Sequence, residues 1–254
     1  MYHLICGMRS QFNNAFGSHV EMDIMESEGR LSQNDPHSYA NTEEVTTTHI
    51  HIELETKFFE NFFKLEGFVI LHLLKRKKNA QTVRIDAREL KIESIMDEDS
   101  RGLDWKIVKN MIYDMPSQLG DLVEITLPES QKNEYKIYIY YETEDCHLWL
   151  SSGCAGGGLY YYDSFPDEEE GRTLFFTQGQ ATNTRTWIPC QDTPTAKVTY
   201  TATITGPENF QVLMSAVANK TFYTEDGEEK KRFQHLNRQS QYQHILLSWH
   251  QGRL

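Results

Sequence analysis

Several stretches of this chain alternate apolar and polar residues with a period of two, and no ten-residue window keeps the period of an amphipathic helix. Ile50, Ile52 and Leu54 alternate with His49, His51, Glu53 and Glu55; Val198, Tyr200, Ala202 and Ile204 alternate with Thr199, Thr201 and Thr203. Successive side chains of a strand point to opposite faces, so each stretch reads as a strand with one face buried. Phe68 to Leu74 is a nearly continuous apolar run that ends in Lys75-Arg76-Lys77-Lys78, a second strand and a charged turn, and it is expected to form a hairpin with the first. Further strand-like runs span Thr82 to Asp86, Leu90 to Ile95, Leu122 to Leu127, Tyr135 to Tyr141 and Val212 to Ala216. Helical spacing competes at Phe58, Phe59, Phe62 and Phe63, but the β-favouring runs on both sides make this cluster core at a hairpin. The pattern predicts an all-β domain.

A chain of 254 residues has room for one large β domain or two small ones, and one domain is the default. Residues 1–34 are polar and acidic without periodicity and are expected to be a disordered extension. With 25 Lys and Arg against 37 Asp and Glu, the net charge of −12 argues against a nucleic-acid surface, which needs a basic field. No run of some 18 apolar residues is present, so no membrane span is expected, and the first residues lack the pattern of a secretory signal. Cys6, Cys146, Cys154 and Cys190 form no Cys-x-x-Cys pair, which suggests neither a zinc ribbon nor a disulfide framework and fits a reducing cytoplasm.

The glycine-rich stretch Gly153 to Gly158 invites a phosphate-binding reading, but no Lys-Ser or Lys-Thr follows it and Asp167 to Glu170 are acidic nearby; it reads as a surface loop. His49-Ile50-His51-Ile52-Glu53 places two imidazoles and a carboxylate on one face of a strand, a workable zinc spacing. The same alternation describes a solvated strand face, and a closed zinc site needs a fourth ligand, so no metal ligand is assigned. Trp187 to Pro194 reads as a structural turn: Asp192 and Thr193 can close side-chain-to-backbone turns, and Arg185 is the nearby cation for Asp192.

The run Phe175 to Ala202 carries Thr177-Gln178-Gly179-Gln180-Ala181 and Pro189-Cys190-Gln191-Asp192-Thr193-Pro194. With Asp35 to Ala40, Leu90 to Ser94, Leu122 to Leu127 and Val212 to Ala216 in the same order, it resembles the N-terminal domain of the zinc aminopeptidases close to leukotriene A(4) hydrolase. The resemblance covers roughly Asp35 to His235 and implies a saddle-like, mostly antiparallel β domain that packs on a separate catalytic domain. In that family a Gln-x-Gln-Ala loop reaches the active-site cleft and touches the substrate, which implies Gln178, Gly179, Gln180 and Ala181 as substrate-binding residues for a peptide. A glutamine amide offers donors and acceptors, and glycine permits close backbone approach. The family binds zinc through His-Glu-x-x-His and a later Glu, and no pair among the ten histidines here has that spacing. No catalytic residue and no cofactor are therefore expected in this chain; zinc belongs to the full-length family. A non-catalytic β-sheet module that binds peptides or partners is the alternative.

From Leu236 to Leu254 the sequence departs from the strand the family carries there, while a two-nucleotide frame slip from the codons for Gln241 onward permits family-like residues at several positions. Residues 236–254 are thus expected to be an aberrant tail, and sequencing the transcript from the codon for Lys230 separates a frame error from a genuine tail.

Overall fold

The computed structural model describes residues 31–59, 62–112, 115–116, 118–129, 132–147, 158–163, 172–206, 210–223, 229–239 and 245–250. Residues 1–30 of the expected extension lie outside them, as do 148–157 and 164–171. The chain is all-β and mostly antiparallel, with one helical turn among the described residues, a 3-10 turn at Thr184–Thr186.

The two alternating stretches lie at the centre of an eight-stranded sheet. Strand β1 (Val45–Phe58) pairs antiparallel with β2 (Phe62–Lys75) and parallel with β13 (Val198–Gly206). Outward from β2 lie β9 (Glu134–Thr143) and β4 (Leu90–Asp97), with β10 (Cys146–His147) also pairing with β2. Outward from β13 lie β16 (Glu229–Gln239) and β15 (Val217–Tyr223). The period of two is realised as expected: Ile50, Ile52 and Leu54 are buried, and His49, His51 and Glu53 on the opposite face are half-buried. The hairpin turn joining β1 to β2 falls at the phenylalanine cluster, where Phe58 faces Phe63, Phe63 is in the core and Phe59 stacks on Phe62 at 4.4 Å.

Three smaller sheets complete the fold. β3 (Thr82–Ala87), β8 (Asp121–Thr126) and β5 (Trp105–Val108) form one. β11 (Leu159–Asp163), β12 (Arg172–Thr177), β17 (Ile245–His250) and β14 (Phe210–Met214) form another in that order. β6 (Met111–Ile112) and β7 (Met115–Pro116) pair as a short ribbon. A single apolar core runs from the inner face of the large sheet to these sheets: Phe63 of β2 meets Phe175 of β12 edge-on at 4.3 Å, and Val83, Ile85, Val123 and Ile125 are fully buried. Burying a side chain of this size contributes about 1.5–3 kcal/mol, so the pairing register follows from which face is apolar.

Two expectations are corrected. The glycine-rich stretch is not surface loop throughout: Gly158 is buried and leads into strand β11 (Leu159–Asp163), anchored by Leu159 at 1% exposure, because the aromatic residues that follow favour a pleated strand. Cys146 is disulfide-bonded, whereas Cys190 is a buried thiol. In the tail, β16 continues to Gln239, and β17 lies between β12 and β14.

Candidate functional site

Strand β12 delivers the Gln178–Ala181 turn. Phe175 and Thr177 point into the core, and the strand ends where Gln178 N–H donates to the Gly158 carbonyl at 2.8 Å. The chain then turns back toward the helical turn at Thr184–Thr186. Asn183 holds both sides of the reversal: its backbone N–H donates to Gly179 O at 2.9 Å and its Nδ2 to Gln180 O at 3.2 Å. The Gln180–Ala181 peptide bond is cis. Gly179 is buried, Gln178 half-buried, and Gln180 and Ala181 are exposed. Among the described residues neither glutamine side-chain amide makes a hydrogen bond, so their donors and acceptors are unspent there. The four residues expected as a peptide-contact loop are thus brought together as one turn at the end of a core strand.

Just beyond the turn, around Arg185 and Asp192, lies a buried ionic knot. Arg185 has no exposure. Its backbone N–H and Nε donate to the Asp192 carboxylate at 3.2 and 3.0 Å, and Nη2 donates to the carbonyls of His37 and Asp192 at 2.9 and 3.0 Å. Nη1 donates to Leu119 O and lies 3.6 Å from Asp86 Oδ1. Asp86, on β3, accepts from Ser38 Oγ at 2.6 Å, Tyr39 N–H at 2.8 Å and Asp192 N–H at 3.0 Å. Gln191 ties this segment to β1: its Oε1 accepts Thr47 N–H and its Nε2 donates to Val45 O, both at 2.9 Å. Burial pushes the Asp192 carboxyl up to about 6 against the pull of Arg185, while burial likewise raises Asp86. The expected pairing of Arg185 with Asp192 is present. The turn chemistry differs in one respect: the Asp192 carboxylate faces Arg185, and the local turn is closed by Thr193, whose Oγ accepts Thr195 N–H at 3.4 Å and donates to Asp35 at 2.6 Å. Sequence reasoning saw Asp35 to Ala40, Asp86 and Arg185 to Asp192 as separate segments; nothing in their spacing shows that they meet.

The histidine stripe on β1 does not fit a zinc centre. His49 Nδ1 lies 2.6 Å from Thr199 Oγ and its Nε2 3.1 Å from Thr201 Oγ, so both ring nitrogens are engaged by hydroxyls of β13. His51 Nδ1 lies 2.8 Å from Thr201 Oγ, and its Nε2 faces Glu53 at 3.7 Å. Among the described residues no group of three His, Cys, Asp or Glu side chains is placed to hold a metal. Burial, with the charges of His72 and His51, lowers the His49 pKa to about 4.

Residues 36–243 match the sequence family described as the peptidase M1 N-terminal domain. Leukotriene A-4 hydrolase of Xenopus laevis is 24% identical over 202 residues, which cover 78% of this chain and 30% of that protein. Leucine aminopeptidase 2 of Vanderwaltozyma polyspora is 26% identical over 171 residues, 66% of this chain and 23% of that protein. The structure of yeast LTA4 hydrolase in complex with bestatin superposes with a TM-score of 0.65 at 22% identity, covering 83% of this chain and 30% of the yeast chain. The chain therefore spans less than a third of the length of each of these relatives, and the structural likeness adds the fold.

Proposed function

The chain belongs to the peptidase M1 N-terminal domain family, and from that premise we propose that it is the substrate-positioning domain of a zinc aminopeptidase similar to leukotriene A-4 hydrolase. The observation that carries this reading is the Gln178–Ala181 turn: an anchored loop at the end of a core strand, exposed at Gln180 and Ala181, with side-chain amides that no protein group occupies among the described residues. The ligand class is a peptide. In a full-length enzyme the turn would lie against a catalytic domain that holds the zinc, and it would position peptide while the metal's domain supplies hydrolysis. By itself the chain is inactive, because neither the turn nor the knot beside it contains a nucleophile or general base placed toward solvent.

Peptide titration followed by amide NMR tests the assignment. With tri-alanine as the probe, the signals of Gln178 to Ala181 shift, and Gln180→Ala weakens binding by about two- to tenfold, the range expected for one hydrogen bond. Shifts confined to another part of the fold would instead support a sheet-edge peptide-binding module. A cytoplasmic location is part of the proposal; the buried Cys190 thiol supports it and the Cys146 disulfide weighs against it, which cell fractionation decides.

A further inference from the structure

Gly158 closes the glycine-rich stretch that the sequence reading set aside, and it is in contact with the candidate loop. Its φ of +121° lies in the region that favours glycine. A Cβ at this position would sit 2.1 Å from Thr186 Oγ1 and 3.1 Å from the Asn183 carbonyl oxygen, so no side chain fits between the end of the stretch and the helical turn. The backbone approach has a use: the Gly158 carbonyl accepts Gln178 N–H. Thr186 Oγ1, the atom pressed against Gly158, donates to Asn183 O at 2.7 Å. Asn183 in turn donates to Gly179 O and Gln180 O. These contacts form a ring, from Gly158 through Gln178 and Gly179 to Asn183, Thr186 and back to Gly158.

We propose that Gly158, Asn183 and Thr186 are positioning residues that fix the Gln178–Ala181 turn so that its side-chain amides meet the free α-amino end of a peptide. The inference rests on the substrate-contact role proposed above. Asn183 engages two of the turn's four backbone carbonyls, at Gly179 and Gln180, which fixes the backbone from which the glutamine side chains project. Both Asn183 contacts need a donor at each end of one residue: the backbone N–H and a side-chain amide. An aspartate keeps the shape but sets a carboxylate oxygen against the Gln180 carbonyl, which frees the turn to rotate. Thr186 sets the depth at which Gly158 and the start of the turn can approach, and its hydroxyl is the link that a valine would lack.

The test measures the binding of tri-alanine and of N-acetyl-tri-alanine to the full chain by calorimetry, for the wild type, Asn183→Asp and Thr186→Val. The wild type binds the free-amine peptide more tightly. Each variant reduces that preference by about two- to tenfold, the effect of one lost hydrogen bond, while circular dichroism shows that it remains folded. If Asn183→Asp does not fold, Thr186→Val gives the same readout. A wild-type chain that takes both peptides equally overturns the substrate-contact role and this inference with it. A wild-type preference that both variants retain, or an equal loss of affinity for both peptides, overturns the positioning role alone.

Discussion

Arg185 is a full positive charge with no exposure to water, and the groups around it explain how that is tolerated: two carboxylates and three backbone carbonyls take its donors. Each contact ties a different segment, the entry at His37, the β3 strand at Asp86, the loop at Leu119 and the turn at Asp192, so one side chain joins parts of the sequence more than a hundred residues apart. Removing one partner of such a buried pair leaves a charge without compensation, which costs about 3–5 kcal/mol. Arg185→Ala is expected to lower the unfolding free energy by about that amount, read as a fall in the urea midpoint at unchanged slope. An unchanged midpoint would show that the knot does not hold the fold. Because Arg185 immediately precedes Thr186, the variant also loosens the Gln178–Ala181 turn.

The parallel pair of β1 and β13 is the seam at which the second half of the chain returns to the first, and imidazoles and hydroxyls line its open face. Thr201 has one hydroxyl proton and two ring nitrogens within reach, His49 Nε2 and His51 Nδ1, so one of these rings must donate to it while the other accepts. That arrangement suits a neutral His49, flanked by His72 at 5.0 Å between ring centroids and by His51, with Glu53 beyond His51 and Lys136 opposite His72. The His49 pKa is lowered from its ordinary value by burial first and then by the neighbouring imidazoles, to about 4. A group with a lowered folded-state pKa binds fewer protons folded than unfolded in the window between the two values. Its contribution to stability is therefore complete above the ordinary histidine value and is lost as pH falls through about 4. The stability gap between the wild type and His49→Gln should narrow from about pH 7 to about pH 4, measured by denaturant unfolding at each pH; a constant gap would contradict this. The strands at this seam were legible in the sequence because one face is apolar at every second residue, from Ile50 to Leu54 and from Val198 to Ile204. Strands β11 and β12 were not, since the tyrosines and phenylalanines there run together without alternation and their pairing depends on distant partners. The positions of the loop residues Gln178 to Ala181 came from resemblance, and the anchors Gly158, Asn183 and Thr186 have no local signal: a glycine in a glycine-rich stretch looks the same whether or not a hydroxyl is packed against it.

At the scale of the molecule, a single core joins the large sheet to its smaller partners, and the candidate loop leaves that core at one end of β12. Arg185, Asp86 and Asp192 near it are spent on structure, and the imidazoles that come nearest to a metal-binding pattern are held by threonines of β13. On the proposed reading this domain orients a peptide, and hydrolysis belongs to a separate catalytic domain. An assay of the purified chain with equimolar zinc and alanine 4-nitroanilide tests this most directly. No release of nitroaniline above the zinc-only blank is predicted; zinc-dependent release that disappears in His49→Gln or His51→Gln would contradict the account and place the chemistry within this chain.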